Sequence, residues 1–307
     1  MPHKLLLLTK DNEQYIELLE NCSLPDLILL NDEPKNIKDA DIWLADPILA
    51  APIIGHANHL KWLQSTYSGV APLVKPRLRK DYQLTNIKGI FGPVMSEFVF
   101  SNLLTHRNKK NDKIKKQNNL WLPESYKTLQ GKCLLLLGTG SIAKHIAHTA
   151  KQFNMIVLGI NKYGELLDDF DYISSLTDLS DFISKADAIV NLLPSNIDTQ
   201  GILNKNVLIK IKPNAILFNL GLEDILDLHS LNLQLKNKPD QQAIIDVFNQ
   251  EPLSNKHPIR QRTNVTITPH IPSPSFPEQV MEIFSHNYQR YIEGKPLNNQ
   301  ICFQQGY

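Results

Sequence analysis

The chain is poor in cysteine, in arginine and in net charge, and each shortage excludes something. Its 307 residues carry three cysteines, Cys22, Cys133 and Cys302, far apart and without CxxC spacing. That spacing speaks against a disulfide framework, and Cys133 stands inside an apolar run, so free thiols in a reducing compartment are expected, with no metal site. A formal net charge of +1 gives no overall attraction to nucleic acid or to an anionic lipid surface. No apolar run approaches the ~18 residues of a membrane span. The opening "MPHKLLLLTK" has a short leucine stretch and no small-residue cleavage site, so no secretory signal is expected and a cytoplasmic location is the default. No arginine occurs between Arg107 and Arg260.

What is present is ordinary for a folded protein. A composition of 42% hydrophobic and 21% charged residues suits a soluble globular chain, and the length exceeds one common core, so two domains are expected. Short apolar runs recur, among them "LLLL" at 5, "LILL" at 27, "IWLA" at 42, "CLLLL" at 133, "MIVLGI" at 155, "AIVNLL" at 188, "AILFNL" at 215, "AIIDVF" at 243 and "VTIT" at 265. They are continuous rather than alternating, as strands covered on both faces by helices must be. Polar or helix-period segments separate most of them, so repeated βα units on parallel sheets are the simplest construction, an α/β fold.

Phe91, Met95, Val99 and Leu103 recur at spacings of four and predict one apolar face of a long helix. The polar stretch "NDKIKKQNNLWLPESYKTLQGK" after it reads as a connecting arm, and a last helix over about 277 to 293 is expected to pack back on the first domain. The expected domains are therefore 1–97 with 272–307, discontinuous, and an inserted 98–271, with a cleft between them. Lys109, Lys110, Lys113, Lys115 and Lys116 form a basic tail on the long helix, but no aromatics are interleaved with them. A solvated helix end is expected there, and no nucleic-acid partner.

In "CLLLLGTGSIAKHIA" an apolar strand runs into Gly138, Thr139 and Gly140 and then a helix from Ser141 and Ile142. Glycines at the first and third positions permit the tight turn and a close approach of backbone to a pyrophosphate, which the free amides at the helix start can bind. Ala143 stands at the third glycine position, where a small residue suffices for helix–strand packing. The next strand ends in Asn161, Lys162 and Tyr163. An acidic residue that would accept from a ribose hydroxyl is missing there, and Lys162 is suited to a 2′-phosphate, which favours NADP(H) over NAD(H). A solvated loop lysine is the other reading, since lysine is a less specific phosphate ligand than arginine.

Seven motifs succeed one another in a fixed order: "LKWLQSTYSGVAPLV" from 60, "IFGPVMSEFVF" from 90, "LLLLGTGSIA", "NLLPSNIDTQGILN", "NAILFNLGLED", "AIIDVFNQEPL" and "VTITPHIPSP". Together they closely resemble the D-isomer-specific 2-hydroxyacid dehydrogenases over nearly the whole chain, and within that family the glyoxylate and hydroxypyruvate reductase branch, whose members favour NADPH. The resemblance implies a parallel-sheet substrate domain with an inserted Rossmann domain, a homodimer formed through the inserted domain, and reduction of a 2-oxo acid by hydride from nicotinamide. It implies His270 as the acid that protonates the carbonyl oxygen, a role suited to imidazole because its pKa lies near working pH. Glu251 would hold the other ring nitrogen. Backbone amides at Ser68, Gly69 and Val70 would receive the substrate carboxylate; an ordinary helix-starting turn is the alternative there. Asp246 would accept from the nicotinamide carboxamide, and Pro194 would border the cofactor.

One position departs from the pattern. The family carries an arginine, then glycine, after the strand that ends in Asn219, and that arginine faces the carbonyl and carboxylate oxygens of the substrate; here Leu222 and Glu223 stand in their places. Leucine has no donor, and Glu223 would repel an anion if it faced the site. Either another cation, Arg77, Arg260 or Arg262, serves instead, or the substrate is less anionic and partly apolar. A non-catalytic NADP(H)-binding member of the family, acting as a sensor or partner-binding protein, is the alternative to an enzyme.

Overall fold

A computed structural model describes residues 2–30, 34–118, 127–271 and 275–303, with side chains left out at 34, 107–118 and 223. The chain divides into two compact units, Met1–Ile90 with Pro274–Tyr307, and Phe91–Ser273. The expected junction at 97/98 falls inside a helix, α4, and the units part just before that helix begins. A continuous hydrogen-bonded helix holds together as one piece, so a boundary settles at its end and not in its middle.

The first unit contains β1 (His3–Leu8), α1 (Asn12–Glu20), β2 (Leu27–Leu30), α2 (Pro34–Asp39), β3 (Ile42–Ala45), α3 (Pro47–Ala50), β4 (Trp62–Ser65) and β5 (Gln83–Thr85). The second contains α4 (Gly92–Asn118), β6 (Cys133–Leu137), α5 (Ser141–Gln152), β7 (Ile156–Ile160), β8 (Tyr172–Ser174), α6 (Leu179–Lys185), β9 (Ala188–Asn191), α7 (Lys205–Leu208), β10 (Ile216–Asn219), α8 (Leu228–Asn237), β11 (Gln242–Ile245) and β12 (Val265–Ile267). The chain then closes the first unit with α9 (Pro277–Ile292).

Both sheets are parallel throughout. The first runs β2-β1-β3-β4-β5 and the second β12-β11-β10-β9-β6-β7-β8. The apolar runs at 42, 188 and 215 supply strands buried along their whole length, which explains why they do not alternate. The run at 27 behaves differently: β2 is an edge strand with Ile28 and Leu29 exposed.

Three strands lay outside the apolar runs. β4 carries the polar Gln64 and Ser65 among its buried residues, and β5 and β8 are each three residues long. Without an apolar run of their own, β5 and β8 form because a neighbouring strand offers its edge, a tertiary cause without a local signal.

The α4 stripe behaves as its spacing implies, with Phe91, Met95, Val99 and Leu103 buried. Its helix continues to Asn118, past the expected start of the arm at 111, because no glycine or proline interrupts the chain between Pro93 and Asn118. The lysines of the basic tail lie outside the described side chains. α9 packs within the first unit. Phe284 stacks on Trp62 with ring centroids 5.2 Å apart, and the Tyr288 hydroxyl donates to the Pro25 carbonyl at 2.6 Å. Each such fully buried large apolar side chain contributes about 1.5–3 kcal/mol. Among the described residues no helix is long and apolar enough to cross a membrane.

Candidate active site

A parallel sheet delivers the carboxyl ends of all its strands to one edge, and this is what gathers residues remote in sequence. In the second unit that edge collects the loops leaving Leu137, Ile160, Asn191, Asn219, Ile245 and Ile267. β6 lies between β9 and β7, so the chain leaves it in opposite directions on its two sides. Such a switch point opens a crevice at the strand ends.

Gly138 stands at that point. Its φ is +94°, and a Cβ on it would come within 3.1 Å of the Leu192 carbonyl oxygen at the end of β9. Its own amide donates to the Ile160 carbonyl at 2.9 Å. The position therefore requires glycine on two counts, conformation and space. Gly138→Ala is expected to destabilise the second unit by ~1–3 kcal/mol; thermal melting reads the effect, and an unchanged midpoint would contradict it. Gly140 caps α5 in an extended conformation with no side chain to occupy the first-turn amides, and a Cβ there would come within 4 Å of none of the described residues. The amides of Ser141 and Ile142 have no intrahelical acceptor by the geometry of a helix start, and Ala143 is buried against the sheet.

Beyond β7 the Asn161 side chain organises the loop. Its Oδ1 accepts from the amides of Tyr163 at 3.0 Å and Gly164 at 2.6 Å, and its Nδ2 donates to the Thr139 hydroxyl at 3.3 Å and the Glu165 carbonyl at 3.1 Å. This ties the glycine loop to its neighbour, a link that the sequence signals only through an asparagine three residues before a glycine. Lys162 lies beside the Tyr163 ring, with Nζ 5.6 Å from the centroid. After β9, the carbonyl of the exposed Pro194 accepts from the Thr199 hydroxyl at 2.6 Å.

At the end of β11, Asp246 is 2% exposed, and its Oδ1 accepts from the Thr268 hydroxyl at 2.5 Å and the Ile271 amide at 3.1 Å. Burial pushes its carboxyl above the usual carboxylate range, against the pull of these two hydrogen bonds. Its Oδ2 accepts from none of the described residues. The His270 amide donates to the Asp246 carbonyl at 3.1 Å, which brings the β11 and β12 ends together.

His270 holds a φ of +54°, a left-handed conformation that a non-glycine residue keeps only when its surroundings impose it. Its Nδ1 lies 3.5 Å from Glu251 Oε2, the outer edge of a hydrogen bond. Glu251 is fixed from behind by the Phe248 amide, which donates to Oε1 at 3.0 Å. The side chains of both residues are about half exposed, at 51% and 41%, so the other face of the imidazole is open for chemistry.

Leu222 occupies a loop whose place is well defined. Asn191 Nδ2 donates to Asn219 Oδ1 at 2.8 Å between buried strand ends, and a Cβ on Gly221 would meet Asn191 Nδ2 and the Leu193 carbonyl at 3.0 Å. The Ser195 hydroxyl donates to Asp224 on the far side of Leu222. Leu222 itself is 45% exposed, an apolar side chain presented at the sheet edge; the Glu223 side chain lies outside the described residues.

Two of the cations considered as replacements are engaged elsewhere. Arg260 donates from Nε to the Ser254 carbonyl at 3.1 Å and from Nη2 to the Leu253 carbonyl at 2.9 Å. Arg262 donates to Asn232 Oδ1 at 2.9 Å and precedes β12, so it sits at the amino end of a strand whose carboxyl end leads to His270. Arg77 belongs to the first unit, where it is exposed.

In the first unit, the residues after β4 form a tight turn. The Ser65 hydroxyl donates to the Tyr67 carbonyl at 2.7 Å and accepts from its amide at 3.0 Å. The amides of Ser68, Gly69 and Val70 donate to no described group. Consecutive free amides of this kind make a concavity for an anion.

Residues 100–272, over half of the chain, match the family model described as D-isomer specific 2-hydroxyacid dehydrogenase, NAD binding domain. The chain belongs to the D-isomer-specific 2-hydroxyacid dehydrogenase family. It is 41% identical to a family member from Aeromonas salmonicida subsp. salmonicida, with 99% of this chain and 100% of that one covered and a TM-score of 0.92. Glyoxylate/hydroxypyruvate reductase A of Photorhabdus laumondii subsp. laumondii is 28% identical over 172 residues, which span 56% of this chain and 55% of that protein. The fold is also that of an NADPH-dependent glyoxylate/hydroxypyruvate reductase from Sinorhizobium meliloti, solved with NADP and sulfate, at 21% identity and a TM-score of 0.84 over 99% of this chain and 100% of that one. The family is one of NAD(P)-dependent oxidoreductases, and its fold of two parallel-sheet α/β units is the fold of this chain.

Proposed function

We propose that this chain reduces a 2-oxo acid of the glyoxylate or hydroxypyruvate kind, or a related carbonyl compound, with NADPH. The observation that carries this reading is the half-open His270 imidazole, backed by Glu251 at 3.5 Å on the same sheet edge as the Gly138 loop. The donor set fits a dinucleotide. The Gly140, Ser141 and Ile142 backbone would bind the pyrophosphate, Pro194 would border the cofactor, and the free Oδ2 of Asp246 would accept from the carboxamide. When bound, nicotinamide supplies the hydride.

His270 would give its proton from the nitrogen turned away from Glu251, and Glu251 would stabilise the imidazolium and hold the ring in its tautomer. Amides of Ser68, Gly69 and Val70 would receive the carboxylate. Leu222 supplies no positive charge, so turnover of small, strongly anionic 2-oxo acids is expected to be slow, and substrates with an apolar group should be favoured over glyoxylate. The test is NADPH and NADH oxidation across glyoxylate, hydroxypyruvate, pyruvate and bulkier 2-oxo acids. Binding of NADPH without oxidation by any of them would favour the second reading, a nucleotide-binding sensor or partner-binding protein, which the lack of a cation at 222 supports.

For the cofactor, Lys162 and the missing acid after β7 support NADP(H) over NAD(H). Lys162→Ala is expected to raise the Kd for NADPH by ~10-fold while leaving that for NADH within about twofold. Fluorescence titration measures both, and equal effects would defeat the 2′-phosphate assignment. A cytoplasmic homodimer completes the reading, supported by family resemblance.

A further inference from the structure

The amides of Ser68, Gly69 and Val70 donate to no described group, whereas polar groups beside them in the turn are held by partners. The Ser65 hydroxyl clamps Tyr67 at one end of the turn, and the buried Thr66 hydroxyl donates to the buried Asp46 carboxylate. The Ser68 carbonyl, in the middle of the turn, accepts from Asn86 Nδ2 at 2.7 Å.

Asn86 comes directly after β5 and is 4% exposed. Its backbone amide donates to the Asn299 carbonyl at 3.2 Å, which anchors it independently of the side chain. Its Oδ1 is buried and accepts from none of the described residues. A buried acceptor without a partner is unfavourable, so a fold that retains one needs the rest of the side chain for something. The orientation is fixed by chemistry: with the amide flipped, Oδ1 would face the Ser68 carbonyl oxygen.

We infer that Asn86 is a positioning residue for carboxylate binding, holding the Ser68 carbonyl back so that three successive amides converge on an anion. The inference rests on the proposed role of Ser68, Gly69 and Val70 in receiving the substrate carboxylate. Pre-organising donors in this way strengthens anion binding because no reorientation of the turn is needed on association.

The test compares the wild type with Asn86→Ala and Asn86→Asp, all saturated with NADPH. Oxalate, a carboxylate that accepts no hydride, is titrated by calorimetry, and steady-state kinetics are run with glyoxylate and with glycolaldehyde, which lacks the carboxylate. Both substitutions are expected to raise the oxalate Kd and the glyoxylate KM by ~10-fold or more, with kcat held within about twofold and glycolaldehyde kinetics unmoved. Asn86→Asp should regain oxalate affinity as pH falls, because a protonated carboxyl can again donate to the Ser68 carbonyl; Asn86→Ala should not. Asn86→Asp keeps the shape of the side chain and decides the matter where Asn86→Ala fails to fold. An unchanged oxalate Kd, an equal loss with glycolaldehyde, or a wild type that does not bind oxalate would overturn the inference. Oxalate binding that depends on Asn86, in a protein that oxidises NADPH with no carbonyl compound, would leave the inference standing and remove the reductase reading.

Discussion

Leu222→Arg is expected to raise kcat/KM for glyoxylate by ~10²–10³-fold. A guanidinium can donate two parallel hydrogen bonds to a carboxylate or a polarised carbonyl, each worth ~1.5–3 kcal/mol when charge-assisted, whereas the native leucine donates none. The loop would carry the change without rebuilding. Gly221 is pressed against the β9 end, the Ser195 hydroxyl is bonded to Asp224, and Leu222 is 45% exposed, so a longer side chain need not enter the core. Because Arg260 and Arg262 are bound to carbonyl and amide groups elsewhere, the gain should not be masked by a cation already in place. Steady-state kinetics with glyoxylate and with an uncharged aldehyde measure it. The rise should be much larger for the anion, and no change with either compound would mean that the substrate does not approach Leu222.

The second large effect concerns the proton. His270→Asn is expected to lower kcat by ~10²–10⁴-fold, the usual contribution of a positioned general acid, while the Kd for NADPH stays unchanged. Glu251→Gln should lower kcat by a smaller factor, since it removes the charge that stabilises the imidazolium but leaves the proton donor in place. The Phe248 amide, which holds Glu251 at 3.0 Å, would still find an acceptor in glutamine. Retention of wild-type kcat by His270→Asn would assign the proton to another group and would undo the catalytic role given to the imidazole.

The readable and unreadable parts of the chain differ in the range of the interaction involved. Strands buried along their length announce themselves, as at 42, 188 and 215, because burial on both faces demands continuous apolar residues. Gly138 is legible for the same local reason: the turn it makes needs its own φ of +94°. The pairing of His270 with Glu251 rests on resemblance and on the position of each just beyond an apolar run, and the parallel sheet explains why two such positions meet. β5 and β8 are not legible, since neither carries an apolar run like the one that marks the equally short β12, and each is selected by the edge it joins. The Asn161 link to Thr139 and the Asn86 hold on Ser68 are hidden too, because asparagine gives no sign in sequence of which distant carbonyl or hydroxyl it will meet. The engagement of Arg260 and Arg262 belongs to the same class. Cations in a sequence are candidates, and only their partners tell which remain available.

Deuteride transfer tests the central claim most directly. Purified wild-type protein would be incubated with NADPH deuterated at the transferable position and with a panel of 2-oxo acids, and the product examined for label and configuration. The expected product is a D-2-hydroxy acid bearing one deuterium on the former carbonyl carbon, formed slowly from glyoxylate-like acids and faster from those with an apolar side chain. Saturating NADPH binding with no labelled hydroxy acid from any member of the panel would contradict the assignment.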